Sequence, residues 1–322
     1  MNTSLRTTFV KTSAVLVLGC LTTPVRADIL YVMNEYAKTI GTFDGSGAGS
    51  IFASGGLGDR FNRSARSLAF DRAGNLYVAN FGLETIMKYT PGGVSSVFAS
   101  THAGLPPTVT SNPWGLAFDA AGNLYVSTWT DRKIKKIAPD GTVSIFASTG
   151  LSNPTGLAFD AAGNLFVSDF QNNTIMKFTP DGVGSVFASS GLSRPVDLAF
   201  DGAGNLFASN SLGNTIEKFT PVGLGSVFAS TGLLWPSGLA FDGAGSLYAA
   251  SSNSSTIEKY TADGTRSVFA SGSNGLSLPG DLAFTDDAGV PLLLPTPVPE
   301  PASAVLLGLS AIAALGFSRR RR

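Results

Sequence analysis

Residues Gly115-Leu116-Ala117-Phe118-Asp119-Ala120-Ala121-Gly122-Asn123-Leu124-Tyr125-Val126 recur, with small changes, along most of this 322-residue chain. In each copy two short apolar runs flank a turn of the form Asp-x-Ala-Gly-Asn, whose residue types favour tight turns. A fixed internal period predicts an array of similar structural units. The phenylalanine of the phrase returns after 48, 41, 41, 41 and 43 residues, at Phe70, Phe118, Phe159, Phe200, Phe241 and Phe284.

Two further phrases complete each unit. The phrase (Val/Ile)-Phe-Ala-Ser occurs six times, and an Ile-x-Lys-(Tyr/Phe) type phrase begins eight residues after the last apolar residue of each Leu-(Tyr/Phe)-(Val/Ala) run. Each unit therefore has four short strand signals, which we name a (Leu-Ala-Phe), b (Leu-Tyr-Val), c (Ile-x-Lys-Tyr) and d (Val-Phe-Ala). Four strands in 41–48 residues is the spacing of one propeller blade.

The order of the strand signals predicts how the ring closes. The chain enters at a strand b (Ile29 to Met33) and its last signal is a strand a (Asp281 to Phe284). This last strand can complete the first blade, which removes an open sheet edge. We therefore expect an all-β fold over residues 28–288, a six-bladed β-propeller of four-stranded antiparallel blades. Its C-terminal strand a joins the N-terminal strands b, c and d.

The first 27 residues have the pattern of a signal peptide. Arg6 and Lys11 precede the apolar run Ala14 to Leu21, and small residues Val25 and Ala27 favour cleavage before Asp28. The alternative is a lipoprotein signal at Cys20, although the bulky Leu18 does not suit that motif. Cys20 is the one cysteine of the chain, so the exported domain forms no internal disulfide.

The C-terminal end has three parts. Residues 289–301 form a proline-rich linker, residues 302–318 an apolar segment that predicts a transmembrane helix, and Arg319, Arg320, Arg321 and Arg322 a positive stop signal. With Pro299, Glu300 and Pro301, this order resembles the PEP-CTERM sorting signal of Gram-negative bacteria. The resemblance implies an exosortase as partner, transient anchoring in the inner membrane, and a cell-surface or extracellular destination. A simple C-terminal membrane anchor is the alternative.

The repeated units also resemble a known family. Gly115 to Val126 is similar to an NHL repeat and to its gluconolactonase-like and virginiamycin-lyase-like relatives, and the resemblance covers nearly all of residues 28–288. It implies a fold rather than an activity. The lactonase-like enzymes need a metal cage that includes glutamate, and no strand a begins with one. The lyase-like enzymes need a catalytic histidine, and the single histidine, His102, lies in a connection between blades.

Antiparallel strand order assigns the loops to two faces. The a–b and c–d turns lie on one face, which we call the turn face, and are nearly identical. The b–c loops and the d-to-a crossings lie on the other, the loop face, and vary between repeats, so we expect ligand binding there. A tryptophan next to a proline can instead fill space between blades. The candidate ligand-binding residues are Tyr36, Asn80, Trp114, Trp129, Asp169, Arg194 and Trp235.

Two aspartates stand out at the head of strand a, where other repeats have glycine or serine. Asp197 and Asp281 are expected to look into the central channel. There they form a candidate Ca²⁺ site, since carboxylate oxygens are calcium ligands. The alternative is that both carboxylates accept backbone N–H groups. No other cofactor is expected.

The net charge of the predicted propeller bears on which class of partner it can bind. Residues 28–294 contain 15 basic and 21 acidic side chains, a net charge of −6, which argues against nucleic acid binding.

Taken together, the sorting signal and the variable loop face predict an exported, non-catalytic module of the cell surface or extracellular matrix that binds a glycan or a protein. The alternative is a metal-dependent hydrolase, lactonase or lyase that acts at the channel.

Overall fold

The computed structural model describes residues 28–55, 57–58, 65–102, 105–106, 108–286 and 290–292. In these residues 24 strands form six four-stranded antiparallel sheets, which confirms the six-bladed propeller. Two single turns of 3-10 helix, Ser252–Ser254 and Gly272–Asn274, lie in loops between strands. The strands are β1 (Ile29–Asn34), β2 (Thr39–Phe43), β3 (Gly49–Ala53), β4 (Ala65–Phe70), β5 (Leu76–Asn80), β6 (Thr85–Tyr89), β7 (Ser95–Ser100), β8 (Pro113–Phe118), β9 (Leu124–Thr128), β10 (Lys133–Ile137), β11 (Val143–Ala147), β12 (Pro154–Phe159), β13 (Leu165–Asp169), β14 (Thr174–Phe178), β15 (Gly184–Ala188), β16 (Pro195–Phe200), β17 (Leu206–Asn210), β18 (Thr215–Phe219), β19 (Gly225–Ala229), β20 (Pro236–Phe241), β21 (Leu247–Ser251), β22 (Thr256–Tyr260), β23 (Arg266–Ala270) and β24 (Pro279–Thr285).

The ring closes by mixing the two ends of the chain in one blade. Blade 1 has the order β24-β1-β2-β3, and blades 2 to 6 each use four consecutive strands. In blade 1, Leu30 pairs with Phe284 and Val32 with Leu282. The six inner strands, which are the a strands, contact one another around the ring. The closure expected from the order of the strand signals is therefore confirmed.

Aromatic side chains hold adjacent blades together. Phe166 of blade 4 lies edge-on to Phe187 of the same blade, with ring centroids 4.9 Å apart, and edge-on to Phe200 of blade 5, at 5.1 Å. Edge-to-face pairs of this kind contribute about 0.5–1.5 kcal/mol each beyond the buried area. Because strand b is buried on both sides, its sequence is solidly apolar rather than alternating. The same arrangement occurs at Tyr31, Tyr77, Tyr125, Phe207 and Tyr248.

The a–b turns are held by their own aspartates. In blade 4, Asp160 Oδ1 accepts the backbone N–H groups of Ala162 at 3.0 Å and Asn164 at 2.8 Å, and Asp160 Oδ2 accepts the Asn164 side-chain amide at 2.8 Å. Gly163 has a φ of 80°, in the left-handed region that glycine adopts without a steric penalty. The repeated Asp-x-Ala-Gly-Asn phrase is thus a structural turn.

Replacing Asp160 by alanine tests this role. Asp160→Ala removes the acceptor for two backbone N–H groups, and we expect the free energy of unfolding to fall by about 1–2 kcal/mol. The measurement is the urea midpoint of the ring. Asp160→Asn is the comparison variant: its side-chain oxygen still accepts both backbone N–H groups, while its amide nitrogen replaces the oxygen that faces Asn164 and Lys177. It should therefore lose less stability than Asp160→Ala, and a loss as large as that of Asp160→Ala would contradict the role of the two backbone N–H bonds.

The segment after β24 returns to the ring. Asp286 N donates to Val290 O at 2.8 Å, and Leu292 N donates to Phe284 O at 3.1 Å, next to a bridge between Thr285 and Pro291. Leu292 packs on the apolar cluster that contains Phe284. Contact with the ring therefore continues beyond residue 288, into residues that the sequence assigned to a linker. The signal peptide, the apolar segment 302–318 and the arginine stop signal lie outside the described residues, in which no helix has the length and apolarity to cross a membrane.

Candidate binding face

The central channel opens into a separate cavity on each face of the ring. On the loop face lies a cavity of about 330 Å³, the mouth cavity, lined among others by Glu35, Arg66, Trp114, Trp235 and the two channel aspartates. On the turn face lies a cavity of about 1070 Å³, the funnel, lined by phenylalanines at the ends of strands a and by the repeated turns. The sequence predicted ligand binding on the loop face alone. The funnel was missed because its walls come from invariant parts of the repeat.

Aromatic rings line one half of the mouth. The rings of Trp114 and Trp129 stack with centroids 4.7 Å apart and an interplanar angle of 23°. Phe81 meets Trp114 edge-on at 5.6 Å, and Phe170 meets Trp129 at 5.2 Å. The Arg66 guanidinium lies 4.7 Å from the centre of a Trp114 ring. We call this set, with Arg194, the aromatic arc: Arg66, Phe81, Trp114, Trp129, Phe170 and Arg194.

The arc is largely packed against itself. Trp114 and Trp129 each use one face for the other ring, so both are partly buried, as the space-filling alternative for tryptophan requires. Tyr36 and Trp235 are different, because 69% and 49% of their surfaces are exposed. The structure therefore places Trp114 and Trp129 in the wall of the mouth, and Tyr36 and Trp235 on its free surface.

The two arginines of the aromatic arc differ in whether a carboxylate neutralises their charge. Arg66 Nη1 lies 2.5 Å from Glu35 Oε2, so its charge is paired. Arg194 lies over the Phe170 ring at 5.0 Å and is exposed, and none of the described carboxylates comes within 4.0 Å of its guanidinium. Among the described residues, Arg194 and the exposed Arg132 of a b–c loop are therefore the loop-face cations open to an external anionic group, and Arg194 is the one that lies over Phe170 of the mouth lining.

Exposed apolar side chains complete the other half of the mouth. Trp235 and Leu278 line the mouth cavity, and Leu212 and Leu234 lie in the adjoining loops. Leu212 is 56% exposed, and its significance is that it lies in the same group of exposed apolar side chains as Trp235, since a contiguous apolar patch can mark a binding surface. We call Leu212, Leu234, Trp235 and Leu278 the apolar arc. None of its three leucines was predicted from the sequence; the available signal was at Leu278, because the residue before the crossing proline differs between repeats.

Three of these mouth residues have a strained backbone. Arg194, Trp235 and Leu278 each precede a proline and have φ values of 53°, 55° and 50°. A residue before proline prefers extended conformations, and bulky L-residues rarely adopt positive φ. Two of the three N–H groups are held by asparagines of the neighbouring blade: Arg194 N donates to Asn173 Oδ1 at 2.7 Å, and Trp235 N to Asn214 Oδ1 at 2.9 Å. Asn112 before Pro113, and one residue in the b–c loop of each blade, also have positive φ, so this conformation belongs to the repeat and not to the mouth alone.

Asn80 and Asp169 lie beneath the loop face and are fully buried. Asn80 Oδ1 accepts the backbone N–H of Gly58 at 3.1 Å. Asp169 accepts the backbone N–H groups of Ser152 at 2.8 Å and Asn153 at 3.0 Å. Both side chains therefore fix the crossings that carry the mouth residues. The sequence could not separate this role from ligand contact, since polar residues serve both.

The channel aspartates meet below the mouth cavity. Asp281 Oδ2 accepts the Ser67 hydroxyl and the Leu68 backbone N–H, both at 2.7 Å, and Asp281 Oδ1 accepts its own neighbour Leu282 N at 2.8 Å. Asp197 Oδ2 accepts Leu239 N at 2.8 Å. Each carboxyl thus reaches the next blade of the ring, and the Asp281 carboxyl lies close enough to Asp197, across blade 6, to affect its ionisation.

Burial governs the ionisation of this pair. Burial and the adjacent Asp281 carboxyl raise the pKa of Asp197 well above its ordinary range, and burial raises the pKa of Asp281 to about 6. A protonated Asp197 can therefore donate to an ionised Asp281. The backbone N–H groups at these oxygens agree with the capping alternative. In the described part of the chain, no three acidic, histidine or cysteine side chains come together as metal ligands. Calcium at this pair stays a prediction.

The sole histidine lies away from the mouth. His102 Nδ1 is 2.7 Å from Glu84 Oε2, at the crossing between blades 2 and 3. It is absent from the lining of the mouth cavity. The contact between His102 and Glu84 links this crossing to the b–c loop of blade 2.

Comparison with known proteins identifies the C-terminus and the fold. Residues 297–322 match the PEP-CTERM protein-sorting motif. No curated protein matches the chain in sequence. Among solved structures, a chain of a nidogen/laminin complex has a TM-score of 0.68 at 19% identity, covering 80% of this chain and 98% of that one. Virginiamycin B lyase from Staphylococcus aureus has 0.61 at 16%, covering 80% and 88%, and a putative gluconolactonase 0.52 at 22%, covering 70% and 85%.

The structural similarities show the fold, and the PEP-CTERM motif indicates where the protein is sorted. A PEP-CTERM motif indicates export and sorting to the cell envelope in Gram-negative bacteria, with an exosortase as the processing enzyme and the C-terminal region as membrane anchor. The chain is accordingly a six-bladed β-propeller, similar in fold to virginiamycin B lyase and to a putative gluconolactonase, that carries a PEP-CTERM sorting motif at residues 297–322.

Proposed function

We propose that this protein is a non-catalytic binding module of the cell surface, and that its mouth binds a segment of another protein. The observation that carries the proposal is the apolar arc, four exposed large apolar side chains beside a cavity of about 330 Å³. Tryptophan, tyrosine and arginine are the residue types enriched in the energetic centres of protein interfaces, and the mouth presents Trp235, Tyr36 and Arg194.

The chemistry of the mouth defines the segment that fits it. Trp235 and Leu278 supply apolar walls for a large side chain, while exposed Arg194 lacks a carboxylate partner among the described residues. A polypeptide that inserts an aromatic or aliphatic side chain and places an acidic residue near Arg194 would satisfy both. The nidogen/laminin complex shows a similar fold in a protein complex, which supports the proposal by analogy.

A glycan is the less favoured ligand on structural grounds. Sugars stack on free aromatic faces, but Trp114 and Trp129 cover each other, and Arg66 covers the remaining approach to Trp114. Tyr36 and Trp235 are the rings with large exposed surface. Exposed leucines add apolar area that a polar sugar does not need.

The proposal is tested by screening the purified ring against a displayed peptide library and a glycan array. We expect enrichment of peptides in which an acidic residue lies close to an aromatic or aliphatic one. Trp235→Ala and Arg194→Ala should each weaken binding of an enriched peptide by about tenfold, corresponding to about 1.4 kcal/mol. The readout is the dissociation constant measured by calorimetry.

The control is Val183→Ala, at an exposed position of the turn face, which should leave the dissociation constant unchanged. Binding to glycans without binding to peptides would replace the protein ligand by a sugar. Peptide binding that survives both mouth substitutions would place the site elsewhere on the ring.

A further inference from the structure

The chain leaves the ring on the turn face. Strand β24 begins with Pro279 beside the mouth and ends with Thr285 at the opposite face. The residues that follow turn back toward the channel, and Leu292 lies in the wall of the funnel. The C-terminal tail therefore starts near the ring axis, on the side opposite to the mouth.

The tail is short compared with the blade. Residues 293–301 separate Leu292 from the apolar segment that begins at Ala302. The ten Cα–Cα steps from Leu292 to Ala302 span at most about 36 Å when fully extended. To place the loop face on the bilayer, these residues would have to cross about 14 Å of blade from inner to outer strand and then about 18 Å along the outer strand. The turns and loops at both ends of the strands lengthen this path beyond their reach.

The channel gives no shorter route. The funnel and the mouth cavity have no lining residue in common. Asp197 and Asp281 line the channel side of the mouth cavity, where backbone N–H groups of blades 6 and 2 hold them. A polypeptide passing through would have to break these hydrogen bonds.

The turn face also exposes apolar side chains, next to exposed aspartates of the same c–d turns. Its c–d turns expose apolar side chains at the rim, and Val222 is the most exposed large apolar residue described, at 81%. The other members of this set are Val94, Val183 and Leu224. Isolated apolar side chains at a membrane surface gain from insertion at the boundary between headgroups and acyl chains.

We infer that the turn face lies against the membrane while the C-terminal anchor is in place, so that the mouth points away from the bilayer. This orientation makes the mouth accessible before the tail is cleaved. The inference depends on the exit point of the chain and on the sorting motif, and it holds whatever ligand the mouth binds.

Two single-cysteine variants within blade 4 test the orientation. Val183→Cys places a probe on a c–d turn of the turn face, and Gln171→Cys places one on an exposed b–c loop of the loop face. A Cys20→Ser background removes the only native cysteine. The full chain, made in cells without an exosortase, is labelled with a fluorophore and reconstituted into phosphatidylethanolamine/phosphatidylglycerol vesicles that contain a headgroup-nitroxide lipid.

We expect the nitroxide to quench the probe at position 183 several-fold more strongly than the probe at position 171. A chain that ends at Leu292, with the same probes, should show little quenching at either position. Equal quenching, or stronger quenching at position 171, would overturn the inference. Quenching at position 183 that persists unchanged without the tail would also overturn it, because the anchor would then not set the orientation.

Discussion

A chain that ends at Leu278, before β24, will show no cooperative unfolding transition, whereas a chain that ends at Leu292 will unfold cooperatively. Without β24, blade 1 loses its inner strand and the ring loses its contacts between β20, β24 and β4. Leu282 and Phe284 leave the core, at about 1.5–3 kcal/mol each. Together with the lost strand pairing, this approaches the whole stability of a domain, about 5–15 kcal/mol. Calorimetry and near-ultraviolet circular dichroism measure the transition.

Adding back the missing strand separates ring closure from a general effect of truncation. A synthetic peptide of residues 279–292 should restore a transition to the shorter chain, with a midpoint that rises with peptide concentration. A chain ending at Leu278 that unfolds within a few degrees of the longer chain would contradict the role of β24 in closing the ring.

Replacing Asp197 by asparagine will stabilise the ring at alkaline pH. Both channel carboxyls have raised pKa values, so the folded state binds more protons than the unfolded state. Their stabilising contribution is therefore complete below the ordinary carboxyl value of 3.8 and is lost as pH rises through about 6 and above. Asp197→Asn removes one of these titrations and keeps an amide that can donate to Asp281. Each unit of pKa shift corresponds to about 1.4 kcal/mol.

The measurement is the melting temperature of both proteins between pH 4 and pH 8. We expect nearly equal values at pH 4 and an advantage of roughly 5 °C or more for Asp197→Asn at pH 8. The matched control is Asp281→Asn. Its new amide would face the Ser67 hydroxyl, Leu68 N–H and Leu282 N–H donors, so it should destabilise at every pH. Equal effects of the two variants would contradict the assigned proton positions.

Most of the fold is predictable from the sequence because each strand and turn has a residue pattern of its own. Each strand and turn carries its own residue pattern, and six copies of it determine the blade number, the closure by β24 and the division into two faces. The Asp-x-Ala-Gly-Asn turn illustrates this, because Asp160 bonds residues two and four positions ahead. Such interactions depend on short stretches of chain and are readable from one repeat.

The candidate site depends on contacts that no single repeat contains. Asp197 and Asp281 are 84 positions apart and meet only because the inner strands of blades 5, 6 and 1 converge at the channel. Asn80 and Asp169 have the residue types of ligand contacts, but the crossings above them bury both. The exposure of Leu212 and the return of Leu292 to the funnel likewise follow from ring curvature and loop packing.

The tryptophans provide the most direct measurement of binding at the mouth. All three, Trp114, Trp129 and Trp235, lie on the loop face, so selectively excited tryptophan fluorescence reports on that face alone. Titration of the ring with a peptide enriched in the library screen is expected to shift the emission, saturating at the concentration that calorimetry gives for binding. In Trp235→Ala the shift should be reduced and displaced to higher concentration. Saturable binding of the peptide with unchanged tryptophan emission would contradict a binding site at the mouth.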